Sequence, residues 1–166
     1  MELKTGDYVM YIPVGVCTVR GFEEKCFDGK TRRNYIELVP EAGAKTVCYL
    51  PEDMASSKLR FLRSAEEVTA LLSEIPDIAP CEEAARGDRR NQFSEILRSD
   101  DSRLLISLVK RLAQNRTERE NAGKHLSAGE ETALKAATSL LCQEFAVALG
   151  ITETEAEGRI YAGLAG

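Results

Sequence analysis

The pattern of the sequence changes within Leu59-Arg60-Phe61-Leu62-Arg63-Ser64-Ala65-Glu66-Glu67. Up to Arg63, apolar side chains alternate with basic ones, which is typical of a strand at the edge of a sheet. Ser64 then opens a Ser-x-x-Glu capping box, in which the hydroxyl accepts a backbone N–H and the Glu carboxylate reaches back. Because a capping box marks the start of a helix, we predict two domains, a β domain over residues 1–63 and an all-α domain over 64–166.

Upstream of this boundary the chain contains four short runs rich in β-branched and aromatic residues, at 9–11, 16–19, 35–38 and 46–50. Asp28-Gly29 lies between the second and third runs and predicts a β-hairpin with a type I′ turn, which requires positive φ angles. Four or five short strands in so short a segment are too few for a sandwich. We therefore predict a small, strongly bent SH3/Tudor-like β-barrel.

Downstream of the boundary the apolar residues recur with helical spacing. Two further capping boxes begin at Ser127 and Thr152. Apolar residues follow the i, i+3, i+4, i+7 rule over 105–112 and again over 134–148. Gly150 is suited to end the second of these helices in a left-handed cap. The α domain is predicted to contain about five helices.

The composition restricts the class of protein. With 43% hydrophobic and 30% charged residues, the chain is typical of a folded, soluble protein. It contains no run of about 18 apolar residues that could span a membrane, and its N-terminus lacks the features of a signal peptide. We expect a cytoplasmic protein. A net charge of −5 argues against coating nucleic acid by bulk electrostatics, although it leaves room for a local basic patch.

No catalytic or metal centre is expected. The five Cys residues, at positions 17, 26, 48, 81 and 142, form no Cys-x-x-Cys pair, and His125 is the single His. Zinc sites need closely spaced thiolate or imidazole ligands. The chain has no Gly-rich phosphate loop, and no spacing assembles a nucleophile with a base and an orienting acid. We expect reduced, structural cysteines, no cofactor, no small-molecule substrate and no enzymatic activity.

Short motifs stand in a fixed order along both halves of the chain. In the first half they are Lys4-x-Gly6-Asp7-x-Val9-x-Tyr11, Tyr35-Ile36-Glu37-Leu38 and Pro51-Glu52-Asp53. In the second half they are Arg98-Ser99-Asp100-Asp101, Leu126-Ser127-Ala128-Gly129-Glu130 and Leu141-x-x-Glu144-Phe145-Ala146. Their order and spacing over about residues 2–150 resemble those of the CarD/CdnL family of bacterial transcription regulators.

The resemblance implies a Tudor-like N-terminal domain that binds the β subunit of RNA polymerase. It also implies a helical C-terminal domain that contacts promoter DNA at the upstream edge of the transcription bubble and modulates the stability of the open complex. The N-terminal module is shared with a transcription-repair coupling translocase. The chain has no Walker motif, so it resembles the regulators and not the translocase.

The resemblance implies that two neighbouring strands carry the polymerase-binding residues. Counted from Gly6, one such position is Lys25. The second falls on the strand ending at Pro51, where a one-residue gap leaves Cys48 and Tyr49 as candidates. Tyr49 is the better anchor if it is exposed, but it could equally be a core aromatic residue. Strand addition at an exposed sheet edge is a further mode of binding.

The resemblance also implies DNA contact in the helical domain, where basic residues are concentrated. Residues 64–166 carry a net charge of −6, whereas residues 86–125 carry +4. The candidate DNA-binding residues are Arg86, Arg89, Arg90, Arg98, Arg119 and Lys124. Such side chains reach phosphates without reading sequence, so we expect weak, salt-sensitive contact without sequence specificity. A solvated helix face with i, i+4 ion pairs is the alternative interpretation of this cluster.

Two positions depart from the family pattern. Many members place a Trp wedge just before the Arg-rich helix, whereas this chain has no Trp and has Arg86 at or near that position. A position that is usually basic in the family is Glu131 here, and its carboxylate would repel phosphate. Because of these departures, a polymerase-bound adaptor whose helical domain binds another protein is an alternative function.

A Tudor-type reader of a methylated cation is a further alternative. Its cage would need about three aromatic rings that converge on one face. The available rings are Tyr8, Tyr11, Phe22, Phe27, Tyr35 and Tyr49. Tyr8 and Phe22 are expected to fill the interior of the barrel instead.

Overall fold

A computed structural model of the protein describes residues 2–12, 14–43 and 46–165. The chain divides into two compact units, Met1–Arg63 and Ser64–Gly166. Each unit has its own cluster of buried apolar side chains, and the two clusters share no residue. We call them the β unit and the helical unit.

The β unit is a five-stranded antiparallel sheet with the strand order β4-β3-β2-β1-β5. Its strands are β1 (Tyr8–Tyr11), β2 (Gly15–Lys25), β3 (Arg33–Pro40), β4 (Cys48–Pro51) and β5 (Leu59–Phe61). A register shift between Val19 and Gly21 interrupts the long pairing of β2 with β3, and such irregularities bend a sheet. A short helix α1 (Ala55–Lys58) precedes β5. Within the described residues the sheet keeps two edges, and it fits the predicted Tudor-like class.

One face of this sheet is the core of the β unit. The side chains on it are fully or nearly fully buried: Val9, Cys17, Val19, Ile36, Leu38, Leu50 and Leu59. Burial raises the pKa of Cys17 to about 12, and the neighbouring Cys48 and Glu41 act in the same direction. The Cys17 thiol is therefore protonated at neutral pH and behaves as a small apolar side chain.

The hairpin between β2 and β3 forms as predicted, but the prediction of a type I′ turn was wrong. Residues 26–32 connect the two strands. The Asp28 carboxylate accepts the backbone N–H groups of Lys30 and Thr31, each at 2.8 Å. Gly29 has a positive φ of 73°, whereas Asp28 does not, and a type I′ turn needs positive φ at both positions. The Asp28 side chain closes the loop in place of the backbone turn.

The helical unit contains the five predicted helices. They are α2 (Ala65–Glu74), α3 (Arg89–Arg98), α4 (Ser102–Asn121), α5 (Ala128–Leu149) and α6 (Glu153–Ala165). The capping boxes at Ser64 and Ser127 are both complete, and the Thr152 hydroxyl accepts the backbone N–H of Glu155 at 3.1 Å. Gly150 ends α5 in the left-handed region, as predicted. Asp100, in the break before α4, adopts a positive φ of 55°.

No single helix among the described residues is long and apolar enough to cross a membrane. Helices α5 and α6 meet such a length and composition test only when they are joined across their 111° bend. The large apolar side chains of this pair, such as Leu141, Phe145 and Ile160, are buried in the core of the helical unit.

Lys110 of α4 fixes the segment that follows α2. Its side chain is 8% exposed. The ammonium group donates hydrogen bonds to three backbone carbonyl oxygens, those of Ile75, Pro76 and Ile78, at 2.7, 3.2 and 2.6 Å. Because a helix end leaves carbonyl groups without partners inside the helix, one buried cation satisfies several of them at once.

Two glycines of α6 are expected to respond in opposite ways to a methyl group. A Cβ on Gly163 would lie 2.9 Å from the Cβ and Cγ2 atoms of Ile75, whereas a Cβ on Gly158 would meet no atom within 4 Å. We expect Gly163→Ala to lower the free energy of unfolding by about 1–3 kcal/mol through overpacking. Gly158→Ala should raise it by about 0.5–1 kcal/mol, because alanine favours the helix.

Urea unfolding of the two alanine variants measures both effects. Equal changes in the two variants would show that Ile75 moves aside without cost.

Candidate functional site

Lys25, at the end of β2, lies against the ring of Tyr49 in β4. Its Nζ atom is 4.3 Å from the ring centroid and donates a hydrogen bond to the Tyr49 hydroxyl at 3.2 Å. The Phe27 ring meets the edge of Tyr35 at 5.0 Å between centroids and lies 5.5 Å from Tyr49. We call these four residues the Lys25 patch. Tyr49 is 37% exposed and Phe27 61% exposed, so Tyr49 is a surface residue and not a core aromatic residue.

Strand register explains why these side chains meet. Tyr49 pairs with Glu37 of β3, and Tyr35 pairs with Glu23 of β2. Residues that pair across neighbouring strands lie on the same face of a sheet. Tyr35 and Glu37 alternate along β3 with the core residues Ile36 and Leu38, so the patch lies on the face opposite the core. Cys48 is half-buried and packs against the core of the β unit, because consecutive strand residues point to opposite faces. The structure thus brings Lys25 and Tyr49 together and leaves Cys48 out.

The carboxylate of Glu23 lies beside the Lys25 ammonium group. The Tyr49 hydroxyl is the main cause that raises the pKa of Lys25, and Glu23, at 3.6 Å, adds to it. Glu23 and Glu37 share a hydrogen bond, which lowers the pKa of Glu23 and raises that of Glu37. Arg20 lies 3.6 Å from Glu37. The Lys25 patch is therefore a cation over the ring of Tyr49, with the carboxylates of Glu23 and Glu37 next to it on the same face of the sheet.

The structure bears on the aromatic cage in two ways. Tyr8 and Phe22 are 46% and 44% exposed, so the expectation that they fill the interior of the barrel was wrong. Phe22 pairs with the core residue Ile36 but lies where the core no longer covers it, whereas Tyr8 is next to the core residue Val9 and lies on the opposite face of the sheet. The three rings that do converge are those of the Lys25 patch, and the chain's own ammonium group already lies over Tyr49. A methylated cation from outside would have to displace it.

The helical unit contains a groove of about 1000 Å³ between α3, the end of α4 and the start of α5. We call it the basic groove. Five of the six candidate DNA-binding residues line it: Arg86, Arg89, Arg90, Arg119 and Lys124. Phe93, Leu97 and Ala133 line it as well and pack against the helical core, so they form an apolar floor. Arg98 borders a separate depression with Glu95 and Ser99, and the structure does not bring it into the groove.

Ion pairs within the helical unit occupy several of its basic side chains. Arg89 lies 3.5 Å from Glu83. Arg119 forms an ion pair with Glu130, a buried residue that also belongs to the capping box of α5. By contrast, none of the described residues forms an ion pair with Arg86, Arg90 or Lys124. These three carry the free positive charge of the groove.

Glu131 does not face the groove as an unpaired anion. Its carboxylate lies 2.8 Å from the Arg116 guanidinium, and the two residues border a neighbouring cavity. The repulsion of phosphate that the sequence predicted is therefore offset by Arg116.

Glu130 makes the stability of this region depend on pH. Burial raises its pKa, but hydrogen bonds from Arg119 and Ser127 outweigh burial and hold the pKa below its usual 4.5. A carboxyl group with a lowered folded pKa stabilises the fold above its unfolded pKa, and this contribution is lost as the pH falls through the folded pKa. We expect Glu130→Gln to lower the free energy of unfolding by about 1–2 kcal/mol near pH 7. The free energy of unfolding of this variant should also fall less steeply than that of the wild type as the pH is lowered.

Urea unfolding from about pH 6 to about pH 3 tests this prediction. Glu131→Gln, which alters an exposed ion pair, is the matched control and should change stability by at most about 0.5 kcal/mol. Parallel pH profiles for Glu130→Gln and the wild type would contradict the assignment.

Sequence reasoning missed the apolar floor and the start of α5 as parts of the groove. A usable signal existed on α3, because Arg90, Phe93 and Leu97 follow one another at spacings of three or four residues, and Arg86 lies in the turn just before this helix. Such spacing places residues on one helix face. His125 and Ser127, which also line the groove, gave no comparable signal because they lie in the α4–α5 connection.

Comparison with known protein families agrees with this two-part architecture. The profile described as the CarD-like/TRCF RID domain matches residues 3–63, and the CarD C-terminal domain profile matches residues 67–161. No individual curated protein matches the chain. Both profiles describe interaction domains, and together they define a transcription factor that interacts with RNA polymerase. Since the C-terminal profile alone spans more than half of the chain, the protein belongs to the CarD/CdnL family.

Proposed function

We propose that the β unit binds the β subunit of RNA polymerase through Lys25 and Tyr49, and that the helical unit contacts promoter DNA through the basic groove. The protein would thereby modulate the stability of the open complex, in the cytoplasm. The observation that carries the proposal is the presence of an exposed cation–aromatic patch on one unit and three unpaired cations on the other, in a family that interacts with polymerase.

The Lys25 patch has the chemistry of a protein-binding hot spot. Exposed aromatic residues with a paired cation supply large contact area and direction, and such residues dominate binding energy at interfaces. Tyr49 lies on β4, an edge strand of the sheet, so a partner strand has access to backbone groups beside the patch.

The basic groove supports weak contact with DNA. Arg86, Arg90 and Lys124 can approach phosphates without giving up an internal partner. Binding to polymerase would raise the local concentration of the helical unit at the promoter, so weak contacts suffice. Preferential binding of the open state by about 1.4 kcal/mol shifts the equilibrium tenfold.

Replacing both Arg86 and Arg90 with Ala tests the DNA contact. We expect the double variant to bind polymerase as the wild type does and to lose most of its effect on the lifetime of open promoter complexes. Arg89 is a poorer target than these two, because Glu83 already pairs with it. The measurement is the decay of open complexes challenged with a competitor, with and without saturating protein.

The matched control replaces Lys135 and Arg159, two exposed basic residues of α5 and α6. An unchanged lifetime effect in the Arg86 and Arg90 double variant would exclude DNA contact by this groove. The adaptor function would then be favoured, because the ion pairs of Arg89, Arg103, Arg116 and Arg119 leave few cations for DNA.

A further inference from the structure

Glu83 holds one of the cations of the basic groove. Its carboxylate accepts a hydrogen bond from the Arg89 guanidinium at 3.5 Å and another from the side-chain amide of Asn115 in α4. Among the described residues, Arg89 lines the basic groove and Glu83 does not. Arg89 is therefore a cation of the groove whose charge an internal carboxylate already neutralises.

The segment that carries Glu83 is attached to α4. The backbone N–H of Cys81 donates to the Ser107 carbonyl oxygen at 3.1 Å, and the Arg111 Nε atom donates to the Cys81 carbonyl oxygen at 2.7 Å. Ser107, Arg111 and Asn115 are spaced four residues apart, which places them on one face of α4. Asn115 is buried. One face of α4 therefore holds Glu83 in a fixed place.

Arg89 is held less firmly than Glu83. Its Nε and Nη2 atoms lie 3.5 Å from the Ala84 carbonyl oxygen and from the Glu83 carboxylate, whereas charge-assisted hydrogen bonds usually span about 2.7–2.9 Å. Its side chain is 33% exposed, and ion pairs in contact with water contribute little to stability. Arg89 is also the first residue of α3, where the helix dipole disfavours a cation and favours an anion beside it. A phosphate can therefore replace Glu83 as the partner of Arg89.

We propose that Glu83 competes with DNA phosphate for Arg89 and thereby limits the affinity of the basic groove for DNA. This inference rests on the proposed DNA contact and names the residue that restrains it. Glu83 is a positioning residue, because it acts through Arg89. Each cation that binds a phosphate adds about 0.9 to the slope with which log affinity falls against log salt concentration. The salt slope therefore counts the cations that take part in binding, and it distinguishes a released Arg89 from a general gain in positive charge.

Fluorescence anisotropy tests the inference, with a labelled DNA duplex of about 20 base pairs titrated with the full chain at several salt concentrations below about 0.1 M. We expect Glu83→Gln to bind the duplex at least about threefold more tightly than the wild type and to raise the salt slope by about 0.9. The glutamine side chain can still accept the Asn115 hydrogen bond, so the segment stays attached to α4. It carries no charge and therefore releases Arg89.

Two controls separate this effect from a general change in charge. Glu82→Gln removes the same formal charge from the neighbouring exposed residue and should leave the salt slope unchanged. Glu83→Gln combined with Arg89→Ala should lose the gain in affinity, because the cation that the first substitution releases is absent. Thermal unfolding of each variant verifies that it is folded.

The possible outcomes separate the two proposals. An equal gain in Glu82→Gln and Glu83→Gln, or a gain that persists without Arg89, would overturn this inference and leave the proposed DNA contact intact. Weaker binding by folded Glu83→Gln would show that the ion pair holds Arg89 in place for DNA, and it would overturn the competition between Glu83 and phosphate. Absence of binding by the wild type and by every variant would overturn the DNA contact itself.

Discussion

Lys25→Glu is expected to lower the affinity for the polymerase β subunit at least about 100-fold, which corresponds to about 2.7 kcal/mol. The substitution removes the cation from the Tyr49 ring and its hydrogen bond to the Tyr49 hydroxyl. It also adds a third carboxylate beside Glu23 and Glu37, whose mutual contact already lowers the pKa of one and raises that of the other. Repulsion among these groups would reorganise the surface on which Phe27 and Tyr49 are presented.

The measurement is calorimetric titration of the full chain with a fragment of the β subunit. Lys58→Glu makes the same charge change in α1, outside the Lys25 patch, and is expected to bind as the wild type does. Thermal unfolding of both variants verifies that the β unit is folded. An affinity of Lys25→Glu within threefold of the wild type would remove Lys25 from the proposed interface. If recruitment is lost, the effect on open complexes should be lost with it.

Lys110→Met is expected to lower the free energy of unfolding of the helical unit by about 2–4 kcal/mol. The ammonium group is the shared partner of the Ile75, Pro76 and Ile78 carbonyl groups, and methionine has a similar length but donates no hydrogen bond. Hydrogen bonds to charged groups contribute about 1.5–3 kcal/mol, and the Pro76 and Ile78 carbonyl groups would lose this donor and add a desolvation penalty. The Ile75 carbonyl keeps the backbone N–H of Ile78 as a donor. The effect is larger than that of an ordinary surface substitution.

Chemical denaturation followed by far-ultraviolet circular dichroism measures this loss, because the helices dominate the signal. Lys135→Met, an exposed lysine of α5, is the matched control, and its change is expected to stay within about 0.5 kcal/mol. Equal stability of the two variants would show that water replaces the Lys110 ammonium group without cost.

Local chemistry made much of the fold predictable. The capping boxes at Ser64 and Ser127, the glycine cap at Gly150 and the edge strand Leu59–Phe61 each follow from residues within a few positions of one another. Such signals need no knowledge of tertiary structure. The start of α4 is local as well, because the Asp101 carboxylate accepts the backbone N–H groups of Arg103 and Leu104.

Two predictions were wrong: the burial of Tyr8 and Phe22, and the type I′ turn at Asp28-Gly29. Both Tyr8 and Phe22 have the residue type of buried strand positions, yet the core stops short of Phe22, and Tyr8 lies on the face opposite the core residue Val9. The type I′ turn failed because the Asp28 carboxylate competes with the backbone for the turn N–H groups. The exposure of Tyr8 and Phe22 depends on distant parts of the chain. The Asp28 contacts are local, but the residue types alone do not say whether the side chain or the backbone turn takes these N–H groups.

The candidate sites were predictable to different degrees. The family resemblance implied Lys25 and Tyr49 as candidates, but their direct contact depends on the pairing of β2, β3 and β4. In the helical unit the sequence overstated the free positive charge. The partners that neutralise it are distant along the chain, as in the pairs Arg103 with Glu74 and Arg119 with Glu130.

The distribution of charge in the helical unit has a kinetic consequence. Seen from a distance, the unit carries its net charge of −6, so diffusional encounters with DNA are repelled and not steered. The three unpaired cations of the basic groove act only within about 10 Å, the screening length at moderate salt. The protein without polymerase is therefore expected to associate slowly with DNA. Added salt should at first raise the association rate, because it screens the repulsion between the helical unit and DNA. The proposed contact between the groove and DNA therefore depends on a polymerase that is already bound at the promoter.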